Sequence, residues 1–229
     1  LPEKVKGDWD DIPKKGINYC TSENMQMDIL KQKKSVGAYY ASVSYMDDMT
    51  GQVLKALKDN GLEENTIVIF TSDHGYHLGE HDFWAKVSLM EESVKVPLII
   101  KIPGKKAAVC NSFVELLDLF PTTANLCGLG VPERIQGKDL TPIFDNPLHS
   151  VKDSIVSANG KGTLIQTAEW AYMEYTKNGG AMLYDMKKDP RQYTNLVKNP
   201  EYQTVLEMMK KKLAAKRVEM NIHDLAKKK

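Results

Sequence analysis

Residues 66–71, Thr-Ile-Val-Ile-Phe-Thr, run directly into Ser72-Asp73-His74-Gly75. Apolar and β-branched residues at this density favour a strand buried on both faces, as in a parallel sheet. A carboxylate and an imidazole then arrive together at the carboxyl end of that strand. Open α/β folds place their ligands at this edge. The expectation is an α/β domain with a polar site just beyond residue 71. A second apolar run, 96–102, closed by Pro103-Gly104, predicts another buried strand. Two strands do not make an independently stable doubly wound sheet, so further strands are expected from outside this chain.

Composition narrows the function classes. The chain has 229 residues, 42% hydrophobic and 27% charged, with a formal net charge of +1. No strong field draws it to nucleic acid or to an anionic membrane. Arg134, Arg191 and Arg217 are its only arginines, which argues against bidentate recognition of phosphates and base edges. No apolar run approaches the roughly 18 residues of a membrane span. Neither a nucleic acid nor a membrane is therefore expected as a partner. Cys20, Cys110 and Cys127 are scattered, without a C-x-x-C pair, which excludes a zinc ribbon or a disulfide scaffold. The chain opens Leu1-Pro2-Glu3-Lys4, without an initiator Met or a signal-peptide pattern, and reads as starting mid-protein. Its localisation is left open.

Residues 1–27 are polar and broken by Pro2, Gly7, Pro13 and Gly16, and read as a loop or extended arm. From 27 to 60 the period is helical, with Val36, Tyr39, Tyr40, Val43, Met46, Val53, Leu54 and Leu57 at three- and four-residue steps and Gly61 as the stop. Short helices are predicted at 88–93 and at 112–127, the latter bent by Pro121. Four short strands at 153–158, 163–166, 171–175 and 181–184, joined by Gly-containing turns, predict antiparallel pairing. An amphipathic helix follows from 200 to 219, and Lys227–Lys229 read as a frayed tail. The domain division expected is 1–148 and 149–229.

Asp73 and His74 at a strand end can both face a divalent ion, and carboxylate-rich sites suit Ca²⁺ or Mg²⁺. Lys86, in Gly79-Glu80-His81-Asp82-Phe83-Trp84-Ala85-Lys86, offers a compact ammonium suited to a tetrahedral oxyanion. His77 and His81 in the same loop are candidate proton carriers. Trp84 reads as loop packing, and Asp47-Asp48 as a solvated helix face.

The block 66–104 resembles the metal-binding later half of a sulfatase, within the alkaline-phosphatase superfamily. Leu183-Tyr184-Asp185-Met186-Lys187-Lys188-Asp189-Pro190-Arg191-Gln192-Tyr193-Thr194-Asn195-Leu196 is similar to that family's L-Y-D-L-x-x-D-P-x-E-x-x-N-L signature. Residues 39–49 resemble the iduronate-2-sulfatase-like branch. The resemblance implies that Asp73 and His74 are metal ligands, for Ca²⁺ or another divalent cation. It implies that Lys86 contacts sulfate oxygens and that His81 touches substrate or shapes the site. The fold implied is the late part of a mostly parallel sulfatase-type sheet flanked by helices, followed by a small antiparallel sheet with a terminal helix. The substrate implied is a sulfated sugar or another sulfate ester.

The family's nucleophile is a formylglycine made from the first residue of C/S-x-P-x-R. Cys20, Cys110 and Cys127 lack that context, and the one P-x-R, Pro132-Glu133-Arg134, has Gly130 two positions before it. The nucleophile is therefore expected upstream, in the same polypeptide or in a companion chain. Gln166 and Ala171 stand where the family's tail hairpin often carries basic residues. Two other readings share these residues: a phospho- or phosphonate-ester hydrolase of the superfamily, and a non-catalytic protein that kept the fold.

Overall fold

The computed structural model describes residues 1–220, so the Lys227–Lys229 tail lies outside the described residues. The chain forms two compact units. One holds Leu1–Lys6, Asn18–Val87 and Glu92–Lys106; the other holds Gly7–Ile17, Ser88–Glu91 and the described residues from Ala107 onward.

The first unit is led by helix α1, Ile29–Asp59. Asp28 caps it by accepting from Lys31 N at 2.8 Å. Gly61, at φ +68°, ends it while the Gly61 and Leu62 amides close back onto the carbonyls of Lys58 and Leu57. The helix expected at 27–60 and its glycine stop are therefore present. Its packing is unusual: Gln32 is its one buried residue, and Tyr40, Tyr45 and Val53 stand open.

Strand β1, Val68–Thr71, follows, then β2, His77–Leu78, and β3, Trp84–Ala85, which pair as a tight hairpin. The segment predicted as a helix at 88–93 is a single turn, α2, Glu91–Val94. It leads to β4, Leu98–Lys101. The sequence reading expects parallel pairing here, but β1 and β4 run antiparallel, with Val68 opposite Lys101 and Thr71 opposite Leu98. The reason lies in the connection. A parallel return needs a long crossover, usually a helix laid across the sheet, and the one α-helix between these strands is four residues long. The strands expected to be buried are half covered in this chain, with Ile99 61% exposed.

The second unit corrects one helix. Residues 112–115 are not helical; a 3₁₀ turn at Leu116–Asp118 precedes α3, Leu119–Leu126. The Asp118 carboxylate accepts from Glu115 N at 2.8 Å, which starts the helix late. Pro121 then falls in the first turn of α3, where its missing N–H removes no helical bond, so it bends nothing. A short helix α4, Thr141–Asp145, leads into β5, Ser154–Ala158. Then come β6, Gly162–Thr167, β7, Trp170–Tyr175, and β8, Ala181–Asp185. The four form an antiparallel meander in chain order, as the turn spacing predicts. Helix α5, Gln203–Glu219, lays Leu206, Met209 and Leu213 on the sheet residues Ile165, Tyr172 and Leu183. The N-terminal arm also packs here. Asn195 ties it down, donating its Nδ2 to Asp11 O at 2.9 Å and its backbone N–H to the Asp11 carboxylate at 2.9 Å.

One buried charge cluster stitches this unit. Lys152 Nζ sits between the carboxylates of Glu115 and Asp118, 2.7 Å from the latter, with all three side chains 12% exposed or less. Asp118 also accepts from Lys138 N at 2.7 Å, and Glu115 from Val156 N at 2.8 Å. Removing the ammonium leaves two buried carboxylates facing each other. Lys152→Ala is expected to lower unfolding free energy by about 3 kcal/mol, read from urea denaturation. Lys187→Ala, which breaks the exposed pair with Glu169, should leave the midpoint unchanged; equal effects would contradict the assignment.

In the β2–β3 hairpin, His77 is fully enclosed against Phe83, and His81 lies at 2% exposure beside both rings. Burial, with the nearby His81 adding to it, pushes the His77 pKa from 6.5 down to about 3, against an opposing backbone hydrogen bond. The unfolded ring takes a proton below about pH 6.5, whereas the folded ring resists until about pH 3. The stability this neutral ring confers is complete above the upper value and is lost as pH falls through that window. Urea midpoints at about pH 7.5 and about pH 5 should drop more for the wild type than for His77→Phe. Parallel pH dependences would refute the buried neutral ring.

Candidate active site

The chain leaves β1 at Thr71 and turns at once. Ser72 Oγ donates to His74 O at 2.8 Å, and His74 N donates to Asp73 Oδ1 at 3.1 Å. These two short bonds hold the Asp73 carboxylate and the His74 ring on the same turn, with Asp73 Oδ2 3.6 Å from His74 Nε2. Gly75 makes the turn possible. Its N–H donates to Ser93 O at 2.9 Å, and an added Cβ would sit 2.0 Å from Glu92 O. No side chain fits there.

The His74 ring is oriented from both nitrogens. Nδ1 lies 2.7 Å from Gly75 O, and a carbonyl only accepts, so Nδ1 carries the proton. Nε2 then presents its lone pair, and Lys86 Nζ lies 2.7 Å from it. An ammonium only donates, so both contacts agree on one neutral tautomer. The side chain of Asp73 is 83% exposed and that of His74 33%. The group is open to an incoming ligand.

Lys86 is delivered by an irregular loop. Gly79, His81, Asp82, Ala85 and Val87 all have positive φ. The β2–β3 pairing and a bond from Leu78 N to the Glu80 carboxylate at 2.6 Å fold it back. The N-terminal arm runs beside it: Thr21 bridges Phe83, and Trp84 N donates to Cys20 O at 2.7 Å. Trp84 packs inside the loop, as its flanking residues suggested.

Asp73, His74 and Lys86 thus converge at one strand end. His77 and His81 do not share that opening; both are enclosed in the hairpin. Asp47 and Asp48 lie on exposed turns of α1, with Asp48 accepting from Gln52 Nε2 at 2.8 Å. Gln166 and Ala171 pair across β6 and β7 and are buried. A cleft of about 500 Å³ in the second unit, bordered by Glu174, Lys177 and Arg217, contains none of the predicted site residues. Sequence reasoning missed Asn18, a buried arm residue that bonds to the lysine loop. No periodicity or motif around it could have revealed the contact.

A divalent cation fits this end of the strand in part. Asp73 offers a carboxylate, and His74 offers Nε2 with its tautomer set by Gly75 O, the usual outer-sphere support of a ligating imidazole. Among the described residues no group of three or more metal-ligating side chains gathers. Calcium takes six to eight oxygen ligands, so these two donors are a portion of a site.

Comparison with known proteins gives a consistent result. A family model described as Sulfatase matches residues 5–129, and one described as N-sulphoglucosamine sulphohydrolase, C-terminal, matches 79–219. An arylsulfatase of Clostridium perfringens is 31% identical over 225 residues, covering 92% of this chain and 46% of that protein. Iduronate 2-sulfatase of Mus musculus is 41% identical over 129 residues, covering 45% of this chain and 23% of that protein. A solved structure of a protein in complex with its substrate D-glucosamine-2-N,6-O-disulfate superposes with a TM-score of 0.78 at 26% identity, covering 87% of this chain and 44% of that one. The chain spans less than half the length of each of these relatives. Two family models each cover more than half of the chain, and the strand-end Asp-His pair and its lysine lie within the matched residues: the chain belongs to the sulfatase family.

Proposed function

We propose that this chain is the portion of a sulfuric-ester hydrolase that supplies two metal ligands, Asp73 and His74, and a sulfate-contacting lysine, Lys86. The observation that carries the reading is the 2.7 Å approach of Lys86 Nζ to His74 Nε2 beside the Asp73 carboxylate. A divalent cation, calcium by preference for carboxylate-rich sites, would when bound withdraw charge from the sulfate oxygens. The chain's own residues do the rest. Asp73 and His74 hold the cation at the mouth of β1. Without a cation Lys86 donates to the Nε2 lone pair of His74; once that lone pair holds the cation, the three N–H donors of Lys86 are free for oxygens of a sulfate ester. Its positive charge opposes the negative charge that grows on those oxygens and on the leaving oxygen in the transition state. His81, enclosed beside Phe83, shapes the loop that carries Lys86.

The nucleophile, a formylglycine by family resemblance, belongs to an upstream portion of the same protein or to a companion chain. The open apolar residues of α1, and Ile99 on β4, support such a partner, because a 31-residue helix with a single buried side chain has little of this chain to fold against. That portion would extend β1 and β4 into the mostly parallel sheet of the catalytic domain. Residues 1–148 would belong to this domain, and 149–229 would form its C-terminal subdomain. A sulfated sugar is the favoured substrate class, supported by the glucosamine disulfate held by the structural relative.

Kinetics on the intact protein test this. Lys86→Ala should lower kcat/KM for p-nitrophenyl sulfate on the order of 10²-fold, as for other removed transition-state charge contacts. Asp73→Asn should weaken cation binding measured by titration calorimetry, whatever its effect on turnover. Wild-type turnover by Lys86→Ala, or faster cleavage of phosphonate than of sulfate esters, would overturn the reading.

A further inference from the structure

Asn18 lies in no helix or strand, yet it is 1% exposed with its whole amide engaged. Its Nδ2 donates to Trp84 O at 3.2 Å and to Lys86 O at 3.0 Å, while its Oδ1 accepts from Cys20 N at 3.1 Å. Two N–H donors meet two carbonyls, and the oxygen meets an N–H. The reverse orientation would set oxygen against both carbonyls, so the partners fix the amide.

The carbonyls it grips bracket a costly piece of backbone. Ala85 has φ +62° and Val87 has φ +82°. A β-branched residue at positive φ is an outlier, and such conformations persist only where the surroundings hold them. The β2–β3 ladder and the bond from Trp84 N to Cys20 O secure the loop as far as Ala85. Lys86 itself is anchored by its carbonyl to Asn18 and by its ammonium to His74.

We propose that Asn18 is a positioning residue for the reaction: it clamps the loop so that Lys86 is aimed at His74 and at the sulfate oxygens. The clamp rests on the reading of Lys86 given under Proposed function. In the intact, formylglycine-bearing protein, Asn18→Ala and Asn18→Asp should lower kcat/KM for p-nitrophenyl sulfate about tenfold to a hundredfold, as for a reacting group displaced by about 1 Å. Asn18→Asp keeps the volume but replaces both donors with a carboxylate oxygen that repels the two carbonyls, so it breaks the grip without opening the cavity that alanine leaves. In a Lys86→Ala background neither substitution should cost more activity, because the two residues act as one unit. Amide exchange at residues 84–87 should quicken in both variants while exchange in β1 is unchanged. Equal losses with and without Lys86 would overturn the proposal, since Asn18 would then merely stabilise the fold. The two failures separate. Unchanged exchange at 84–87 in Asn18→Asp refutes the clamp whatever the kinetics. Wild-type turnover by Lys86→Ala refutes the role of the lysine, and with it the catalytic purpose assigned to Asn18.

Discussion

A neutral imidazole has one N–H and one lone pair, and in His74 each has a defined direction. The N–H points at the carbonyl of Gly75 and the lone pair at the Lys86 ammonium. Three parts of the first unit serve that arrangement. β1 delivers the ring, Gly75 lets the following backbone press against residues 92–95, and the loop brings the lysine back across 12 residues. A side chain at Gly75 would move the carbonyl that sets the tautomer, and the lone pair would lose its aim. The cation-binding and oxyanion-binding roles proposed for this edge would both depend on this one ring.

The loop that closes the arrangement is held against its own preferences. Five of its residues adopt positive φ, and two of them, Ala85 and Val87, which flank the lysine, are neither glycine nor of a type that tolerates the left-handed region well. Strain of order 1–3 kcal/mol at each such position must be offset by neighbours. The offset comes from buried packing of Phe83 and Trp84 and from the N-terminal arm. An apparently featureless leader segment is thus a structural part of the site.

Legibility in the sequence followed the physics of each element. Helix α1 was readable because a 3.6-residue period and a C-terminal glycine are both local signals, and the tail meander because glycine turns set its spacing. Asp73, His74 and Lys86 were readable because a strand end and a short loop keep them close in sequence. The direction of the β1–β4 pairing was not, since an apolar run looks the same in either orientation. The late start of α3 depended on the Asp118 carboxylate capturing Glu115 N, which competes with helix in a way no periodicity records. The burial of His77 and His81 and the grip of Asn18 depend on tertiary contacts, the last spanning 66 and 68 positions. Such contacts leave no mark on the local pattern.

On the proposed reading, Asp73, His74 and Lys86 would be a portion of a sulfatase centre, and the open surface of the first unit fits that proposal. Helix α1 and strand β4 leave apolar residues open, and Asp73 faces outward. A crystal structure of the intact protein with calcium and sulfate tests the central claim most directly. A cation about 2.3–2.6 Å from the Asp73 carboxylate and His74, with Lys86 Nζ within about 3 Å of a sulfate oxygen, is the result expected. A cation bound away from this strand end, or a lysine turned to solvent with sulfate in place, would contradict it.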